Sequence, residues 1–420
     1  MVQVLFKKPK KEDTGLAIPE PFKNELPTIY AERIGEWYSS FSGSQHRKQQ
    51  GQFFTPISVA RFMASMVSGK SENLRILDPG AGCGILSCAV CESLLRSRKK
   101  PLTIHLDLFE TDGTLYPLLD KVVSHLADYL HAHTVKFSYT ISQGDFVLHH
   151  AETLHNEPQL FYSADLRGEY DICISNPPYF KLAKSDPRSM AAGTIVYGQP
   201  NIYFLFMAIA ASMLKPNGEF IFITPRSFAS GSYFQKFRRY FFDLIKPEAI
   251  HIFESRKETF KKDKILQENI ILKGAHSDQW HKKNGNKTNS VSITVSRGYE
   301  DLNQASSRVF PLEKLLDMKT PSPILRIPQC REEEDVLDRI SSWKGSFNQY
   351  GLKISTGPVV AFRAKSYLAD NKNRKKDYAP LLWLHHVRPL CVEWPKMNLK
   401  KPQYIKISDA SQKLLIHNQN

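Results

Sequence analysis

A regular alternation of short apolar runs and amphipathic segments between residues 74 and 272 constrains the fold most strongly. Segments such as Ile85–Leu95, Leu115–Leu130 and Ile202–Leu214 have the length of helices. The apolar runs that separate such segments predict strands at Leu74–Leu77, Ile104–Phe109, Val135–Ile141, Tyr170–Ser175, Glu219–Thr224, Ala249–Phe253 and Gln267–Leu272. This alternation predicts an α/β fold with a doubly wound, mostly parallel sheet.

Composition narrows the class of protein. The chain has 420 residues, enough for two or three domains, and 57 Lys and Arg against 42 Asp and Glu give it a net charge of +15. An excess of positive charge favours a polyanionic partner. No apolar run has transmembrane length, and the basic amino end lacks the apolar stretch of a signal peptide, so a cytoplasmic protein is expected. The six cysteines and the histidines show no metal spacing, and no P-loop is present.

Changes in composition predict four segments. Residues 1–50 form a basic arm with a helix near Ile29–Ser39, and residues 51–300 form the α/β domain. Residues 301–330 form a proline-containing linker. Residues 331–420 lack the β/α rhythm and mix aromatic with basic side chains, so they are expected to form a smaller second domain, which is short enough to be incomplete.

The first predicted strand runs into Asp78-Pro79-Gly80-Ala81-Gly82-Cys83-Gly84. Glycines after a strand let a ligand approach the backbone closely. The third glycine of a dinucleotide fingerprint would fall at Ile85, and the Asp78 carboxylate would repel a pyrophosphate. The same carboxylate suits a ligand with an ammonium group and no phosphate, such as S-adenosylmethionine. A purely structural glycine turn explains this stretch equally well.

Acidic residues follow the next two strands. Glu110 ends the second strand, where a carboxylate can accept both hydroxyls of a ribose. Asp145 follows the third strand and can accept a hydrogen bond from an adenine amino group, with Phe146 as an apolar wall. A solvated carboxylate at Glu110, and an Asx turn beside a core phenylalanine at Asp145, are the competing interpretations. The order and spacing of these strand ends are more specific than any one of them.

The fourth strand delivers Asn176-Pro177-Pro178-Tyr179 to the edge where ligands bind in open α/β sheets. An amide oxygen beside a proline carbonyl can hold an exocyclic amino group, and a tyrosine ring can stack on a planar base. This motif therefore predicts transfer of a group onto a nucleobase nitrogen.

Together these motifs resemble the DNA amino-methyltransferases of the gamma arrangement, the adenine-N6 enzymes with a carboxy-terminal target-recognition domain. The likeness is strongest over residues 45–275 and looks closest to the PstI/BsuBI-like methylases. The resemblance implies a Rossmann-like methyltransferase sheet and S-adenosylmethionine as cofactor. It implies cofactor contacts from Phe54, Thr55, Pro56, Asp78, Gly80, Gly82, Glu110, Asp145, Phe146 and Asn176. It also implies catalysis by Asn176, Pro177, Pro178 and Tyr179, with Tyr179 and Phe260 stacking on a flipped base.

The implied function is site-specific methylation of adenine N6 in double-stranded DNA, within a restriction-modification system. A cognate endonuclease would act on the same site without direct contact. Alternatives are methylation of cytosine N4, of a protein glutamine or of ribosomal RNA, and a non-catalytic DNA-binding or specificity subunit. The candidate DNA-binding residues are Lys181, Lys184, Arg188, Arg363, Lys375 and Lys376.

Overall fold

A computed structural model describes residues 17–42, 54–154, 168–196, 200–254, 268–278, 280–282, 289–345, 347, 349–352, 357–370 and 377–416. The chain divides into two compact units, Met1–Glu334 and Asp335–Asn420. Within the described ranges, no helix combines the length and the apolar character needed to cross a membrane.

The first unit is built on a nine-stranded sheet with the order β3-β2-β1-β4-β5-β7-β6-β8-β9. The strands are β1 (Asn73–Pro79), β2 (Thr103–Glu110), β3 (Lys136–Gln143), β4 (Tyr170–Ser175), β5 (Leu214–Pro225), β6 (Ile245–Phe253), β7 (Asn269–His276), β8 (Ser290–Ser296) and β9 (Ser306–Pro311).

Strand direction determines where the ends of the strands meet. The five strands β3, β2, β1, β4 and β5 are mutually parallel, so their carboxyl ends lie along one edge. Strand β7 is antiparallel to both of its neighbours, β5 and β6, and β9 is antiparallel to β8. The predicted α/β fold with a mostly parallel sheet is confirmed.

Helices cover both faces of this sheet. The helices of the first unit are α1 (Pro27–Phe41), α2 (Ile57–Ser65), α3 (Ile85–Leu95), α4 (Tyr116–Ala132), α5 (Phe146–His150), α6 (Pro187–Ala191), α7 (Ile202–Met213), α8 (Gln235–Leu244) and α9 (Leu312–Leu315). A further helix, α10 (Arg331–Ser341), spans the boundary between the two units. One apolar cluster packs the helices α1, α2, α3 and α4 against one face of the sheet. The other cluster packs α7 and α8 against the opposite face. Side chains of β5 alternate between the two clusters, as the period of a strand requires.

The amino-terminal helix α1 docks on α3 through a buried carboxylate. Glu92 of α3 is 3 % exposed and accepts hydrogen bonds from the backbone nitrogen of Thr28, at 2.7 Å, and from its hydroxyl, at 2.6 Å. An acidic group satisfies the unpaired N–H groups at a helix amino terminus and interacts favourably with its dipole. Helix α1 is therefore held against α3, the helix that follows β1 in the chain.

The second unit contains short strands rather than a large sheet. Strands β10 (Leu368–Ala369), β11 (Tyr378–Pro380) and β14 (Tyr404–Lys406) form one sheet, and β12 (Val387–Arg388) pairs with β13 (Cys391–Val392). A polar network supports it: Gln403 Oε1 lies 2.9 Å from His386 Nε2 and accepts from the Lys396 backbone nitrogen at 2.7 Å. Residues 335–420 contain 15 Lys and Arg against 6 Asp and Glu, so this unit carries +9 of the chain's +15.

Candidate active site

The predicted site residues collect at the carboxyl edge of the parallel strands. Because β1 pairs with both β2 and β4, the end of β1 lies between Glu110, which ends β2, and Asn176, which follows β4. The Ser175 hydroxyl donates a hydrogen bond to the Pro79 carbonyl at 2.6 Å and fastens the ends of β4 and β1 together. The structure thus brings the glycine loop, the first acid and the Asn-Pro-Pro-Tyr motif to one place.

The glycine loop after β1 has a backbone that favours glycine. Gly80 and Gly82 have φ angles of +75° and +57°. The backbone nitrogens of Gly80 and Ala81 both donate to the Phe109 carbonyl at 2.9 Å. The Phe54 ring lies across the loop, since a Cβ added at Gly82 would be 3.6 Å from its Cε1 atom. Because Gly80 and Gly82 have no side chains, a ligand can approach the backbone of the loop closely beside the Phe54 ring.

Asp78 is fully buried at the end of β1. Its Oδ2 atom accepts a hydrogen bond from the Ser87 hydroxyl at 2.6 Å, whereas Oδ1 has no hydrogen-bond partner among the described residues. Burial raises the pKa of Asp78 to about 7, and the negative charge of Glu110 adds to this rise. The Ser87 hydrogen bond acts in the opposite direction. A buried oxygen without a partner is costly and suits a ligand that brings a positively charged donor.

Glu110 is a buried carboxylate that organises the loop around it. Its Oε2 atom accepts from the Gly82 backbone nitrogen, and its Oε1 atom accepts from the Asp112 backbone nitrogen, both at 2.9 Å. Burial raises the pKa of Glu110, and these backbone hydrogen bonds oppose the shift. Each carboxylate oxygen has two acceptor sites, so each can still accept a ligand hydroxyl.

Asp145 and Phe146 both have structural roles at the start of α5. Asp145 Oδ1 accepts from the Leu148 backbone nitrogen at 3.0 Å and caps the helix. Phe146 is 1 % exposed and packs against Phe109 and Phe206, with ring centroids 5.2 and 5.1 Å away. These contacts match the turn-and-core interpretation of the sequence, and the cofactor contacts of both residues stay predictions.

The amide of Asn176 lies between two hydroxyl groups. Its Oδ1 atom accepts from the Tyr179 hydroxyl at 2.6 Å, and its Nδ2 atom donates to Thr55 Oγ1 at 3.1 Å. The Tyr179 hydroxyl also lies 2.9 Å from the Ile223 carbonyl. Burial raises the pKa of Tyr179 well above its ordinary value, so its hydroxyl remains protonated. The Tyr179 ring is 8 % exposed and meets Tyr203 edge to face, with centroids 6.2 Å apart.

The two prolines and the residues preceding α2 complete this environment. Pro177 is buried and Pro178 is half-buried. A Cβ added at Gly80 would lie 3.7 Å from Pro178 Cδ, so the motif packs directly on the glycine loop. Pro56 immediately precedes α2, and the Ile57 backbone nitrogen donates to Glu32 of α1 at 3.2 Å.

The DNA-binding candidates fall into three groups. Lys181, Lys184 and Arg363 are exposed. Arg188 is held in ion pairs, with Nη2 2.7 Å from Asp186 Oδ2 and Nη1 3.4 Å from Asp145 Oδ2. Lys375 and Lys376, like the stacking candidate Phe260, lie outside the described residues.

Three contacts in this region were not predicted from the sequence. Tyr38 of α1 donates to Asp112 Oδ2 at 3.1 Å, Tyr203 of α7 packs on Tyr179, and Arg188 pairs with Asp145. The aromatic start of the predicted helix at Ile202 was an available signal for Tyr203. No local pattern indicates the Tyr38 contact, because 74 residues separate its partners.

The residues present fit S-adenosylmethionine, the cofactor that the resemblance implies. The unpartnered Asp78 oxygen suits an ammonium group, and the spare acceptor sites of Glu110 suit vicinal hydroxyls. The backbone of the Gly80–Gly82 loop permits close approach.

Comparison with known proteins adds to this geometry. Residues 99–260 match the model of the Eco57I restriction-modification methylase family. M.BsuBI, a type II methyltransferase from Bacillus subtilis, is 30% identical over 375 residues, which cover 89% of this chain and 70% of M.BsuBI. M.PstI, a type II methyltransferase from Providencia stuartii, is 28% identical over 398 residues, covering 93% of this chain and 73% of M.PstI.

A solved structure shows the same fold. The crystal structure of a modification subunit from Vibrio vulnificus superposes with a TM-score of 0.53 at 13% identity, covering 75% of this chain and 65% of that one.

Proposed function

Because this chain belongs to the type II methyltransferase family that includes M.BsuBI, with S-adenosylmethionine as its cofactor, we propose that it methylates adenine N6 at specific sites in double-stranded DNA. The observation that carries the proposal is the Asn176 amide at the end of β4, held by hydroxyl groups at both of its ends. An amide oxygen presented beside a proline carbonyl is suited to an amino group that offers two hydrogens.

The target base must leave the helix to reach this pocket, because an adenine in a duplex presents its amino group to its pairing partner. Unstacking costs a few kcal/mol. Stacking on Tyr179 and Phe260 would return about 1–3 kcal/mol per base. These two aromatic residues are proposed as the stacking partners of the flipped base.

Asn176 Oδ1 and the Pro177 carbonyl would each accept one amino hydrogen. These hydrogen bonds draw the nitrogen towards a tetrahedral geometry and expose its lone pair. When bound, S-adenosylmethionine supplies a methyl group on a positively charged sulfur. The adenine amino group is too weak an acid to lose a proton before the transfer, so the proton leaves during or after it. Positioning and hydrogen bonding therefore supply the rate enhancement.

The cofactor would be held by the residues that surround the glycine loop. Phe54, Thr55 and Pro56 would lie over its methionine end, with Asp78 facing the ammonium group. Glu110 would accept the ribose hydroxyls, and Asp145 with Phe146 would contact the adenine. Gly80, Gly82 and Asn176 complete the proposed set.

Charge supports DNA as the acceptor. The second unit carries +9 within 86 residues, and neutralising phosphates is the main source of affinity for DNA. Exposed Arg363 belongs to this unit, and exposed Lys181 and Lys184 follow the Asn-Pro-Pro-Tyr motif. We propose that these residues, with Arg188, Lys375 and Lys376, contact phosphates, and that a cognate endonuclease acts on the same DNA site without touching this protein.

The test is to incubate the full chain with S-adenosylmethionine and unmethylated plasmid and to map modified bases by single-molecule sequencing. N6-methyladenine within one recurring sequence context supports the proposal, and a reaction without the protein is the control. N4-methylcytosine at a recurring site would replace adenine by cytosine as the target. Unmodified plasmid, together with methylated RNA or protein in parallel reactions, would overturn the DNA assignment.

A further inference from the structure

The Asn176 amide has two chemically different ends, and the structure holds each with its own hydroxyl. Tyr179 donates to Oδ1 at 2.6 Å, and Nδ2 donates to Thr55 Oγ1 at 3.1 Å. Thr55 and Tyr179 are both buried, with 6 % and 8 % exposure. The Thr55 contact joins motifs that are 121 residues apart in the chain.

Orientation of this amide matters for the proposed reaction. Only Oδ1 can accept an amino hydrogen, whereas a flipped amide would present its own NH₂ group to the substrate's amino group. A carbonyl oxygen has two acceptor sites, so Oδ1 can keep the Tyr179 bond and still accept a hydrogen from the base. The nitrogen end must then be occupied by an acceptor that holds it away from the base.

We propose that Thr55 is a positioning residue, whose hydroxyl accepts an Asn176 Nδ2 hydrogen and so keeps Oδ1 as the atom offered to the target amino group. This inference rests on the proposed function of Asn176. It gives Thr55 a task in the chemical step that is separate from contact with the cofactor.

The residues on both sides of Thr55 are held by contacts with helix α1. Pro56 follows it directly, and the next backbone nitrogen, that of Ile57, donates to Glu32 of α1 at 3.2 Å. On its other side, the Phe54 ring meets Tyr38 of α1 edge to face, with centroids 5.8 Å apart. Helix α1 therefore positions the segment that contains Thr55, and Thr55 in turn bonds to the Asn176 amide.

The test compares Thr55→Val, which keeps the shape but removes the acceptor, with Thr55→Ser, which keeps the hydroxyl. We expect Thr55→Val to lower the single-turnover rate of DNA methylation about tenfold, while Thr55→Ser stays within about twofold of the native protein. Because Thr55 also belongs to the proposed cofactor contacts, the dissociation constant for S-adenosylmethionine, measured by calorimetry, is expected to rise in Thr55→Val, but by less than about threefold. That change is well short of the expected tenfold loss of rate. Thermal unfolding of both variants checks that each is folded.

A second comparison uses Asn176→Asp, because a carboxylate has two equivalent oxygens and needs no orienting partner. In that background, Thr55→Val should slow the residual transfer by less than about twofold. Three outcomes would overturn the inference. They are a full tenfold loss in the Asn176→Asp background, equal rates for Thr55→Val and the native protein, and a loss of cofactor affinity that matches the loss of rate. If Asn176→Asp is inactive, the Val and Ser pair and the cofactor affinity decide. A native protein that methylates no DNA would instead refute the proposed function.

Discussion

Arg188 and Asp145 are joined by an ion pair, with Nη1 3.4 Å from Oδ2. Arg188 follows the Asn-Pro-Pro-Tyr motif in the chain, and Asp145 is the residue expected to contact the adenine of the cofactor. The Arg188 guanidinium also lies over the Phe180 ring, 5.5 Å from its centroid. The segment that follows the Asn-Pro-Pro-Tyr motif is therefore tied to a residue that is expected to contact the cofactor.

Arg188→Gln should weaken S-adenosylmethionine binding roughly two- to fivefold, because a partly exposed ion pair contributes at most about 1 kcal/mol. Calorimetry measures the effect, and Lys184→Gln, at an exposed position of the same segment, is the matched control. Unchanged cofactor affinity would show that the ion pair with Asp145 does not support cofactor binding, and weaker DNA binding would then leave Arg188 with its proposed phosphate contact alone.

Asn176→Ala should abolish detectable methyl transfer, with a loss on the order of 10²–10³-fold or more, because it removes the acceptor that positions the amino group. We expect the affinity for S-adenosylmethionine to change only a few-fold. The rate is measured under single-turnover conditions with saturating cofactor. Near-normal turnover by this variant would contradict the assignment of the motif.

Cofactor affinity should depend on pH through Asp78. Burial raises the pKa of this carboxyl to about 7, so part of the free protein carries a neutral Asp78 below that pH. A bound ammonium group favours the charged carboxylate, so binding releases a proton, and affinity should rise by up to about tenfold per pH unit until the pH reaches 7. Calorimetry between pH 5.5 and 7.5 stays below the usual pKa of an α-amino group, about 7.7–8.0. Asp78→Asn should lose this dependence; a variant that retains the same slope would assign the titration to another group.

The affinity for DNA should fall steeply with salt, since each neutralised phosphate adds about 0.9 to the slope of log affinity against log salt. Arg363→Gln is expected to reduce that slope by about one without changing cofactor binding. Lys136→Gln serves as the control. Lys136 begins β3, so it lies at the amino ends of the parallel strands, opposite the edge where Asn176 lies. A flat salt dependence of the native protein would contradict phosphate-based binding by the second unit.

Much of the site was predictable because its residues sit at strand ends. The strand Tyr170–Ser175 and the helix Ile85–Leu95 have the predicted bounds, since a buried strand reads as a continuous apolar run and a buried helix as a longer one. Asn176 directly follows β4, and Asp78 lies at the end of β1, so the parallel pairing of β1 with β4 brings the two residues to the same edge of the sheet.

The remaining features depend on contacts between distant parts of the chain. The antiparallel direction of β7 was not predicted, because an apolar run has the same appearance in either direction. The ion pair between Arg188 and Asp145 was not predicted, because the two residues are 43 positions apart, and the DNA contact of Arg188 stays a prediction. Strand β9 was also missed, because its sequence, Ser306–Pro311, is mostly exposed and lacks a continuous apolar run.

The reversed direction of β7 has a consequence for how this enzyme family can vary. Strand β6 ends and β7 begins at the edge of the sheet where Asn176 lies. Backbone hydrogen bonds hold the residues that flank these two strand ends. The Glu254 nitrogen donates to the Ser296 carbonyl, and the Arg226 nitrogen donates to the Glu268 carbonyl. A change in the length of the segment between Glu254 and Glu268 therefore leaves the register of β6 and β7 unchanged. We expect Asn176 to keep its position when residues 255–267 are exchanged, whereas the stacking partner proposed at Phe260 would be replaced with them.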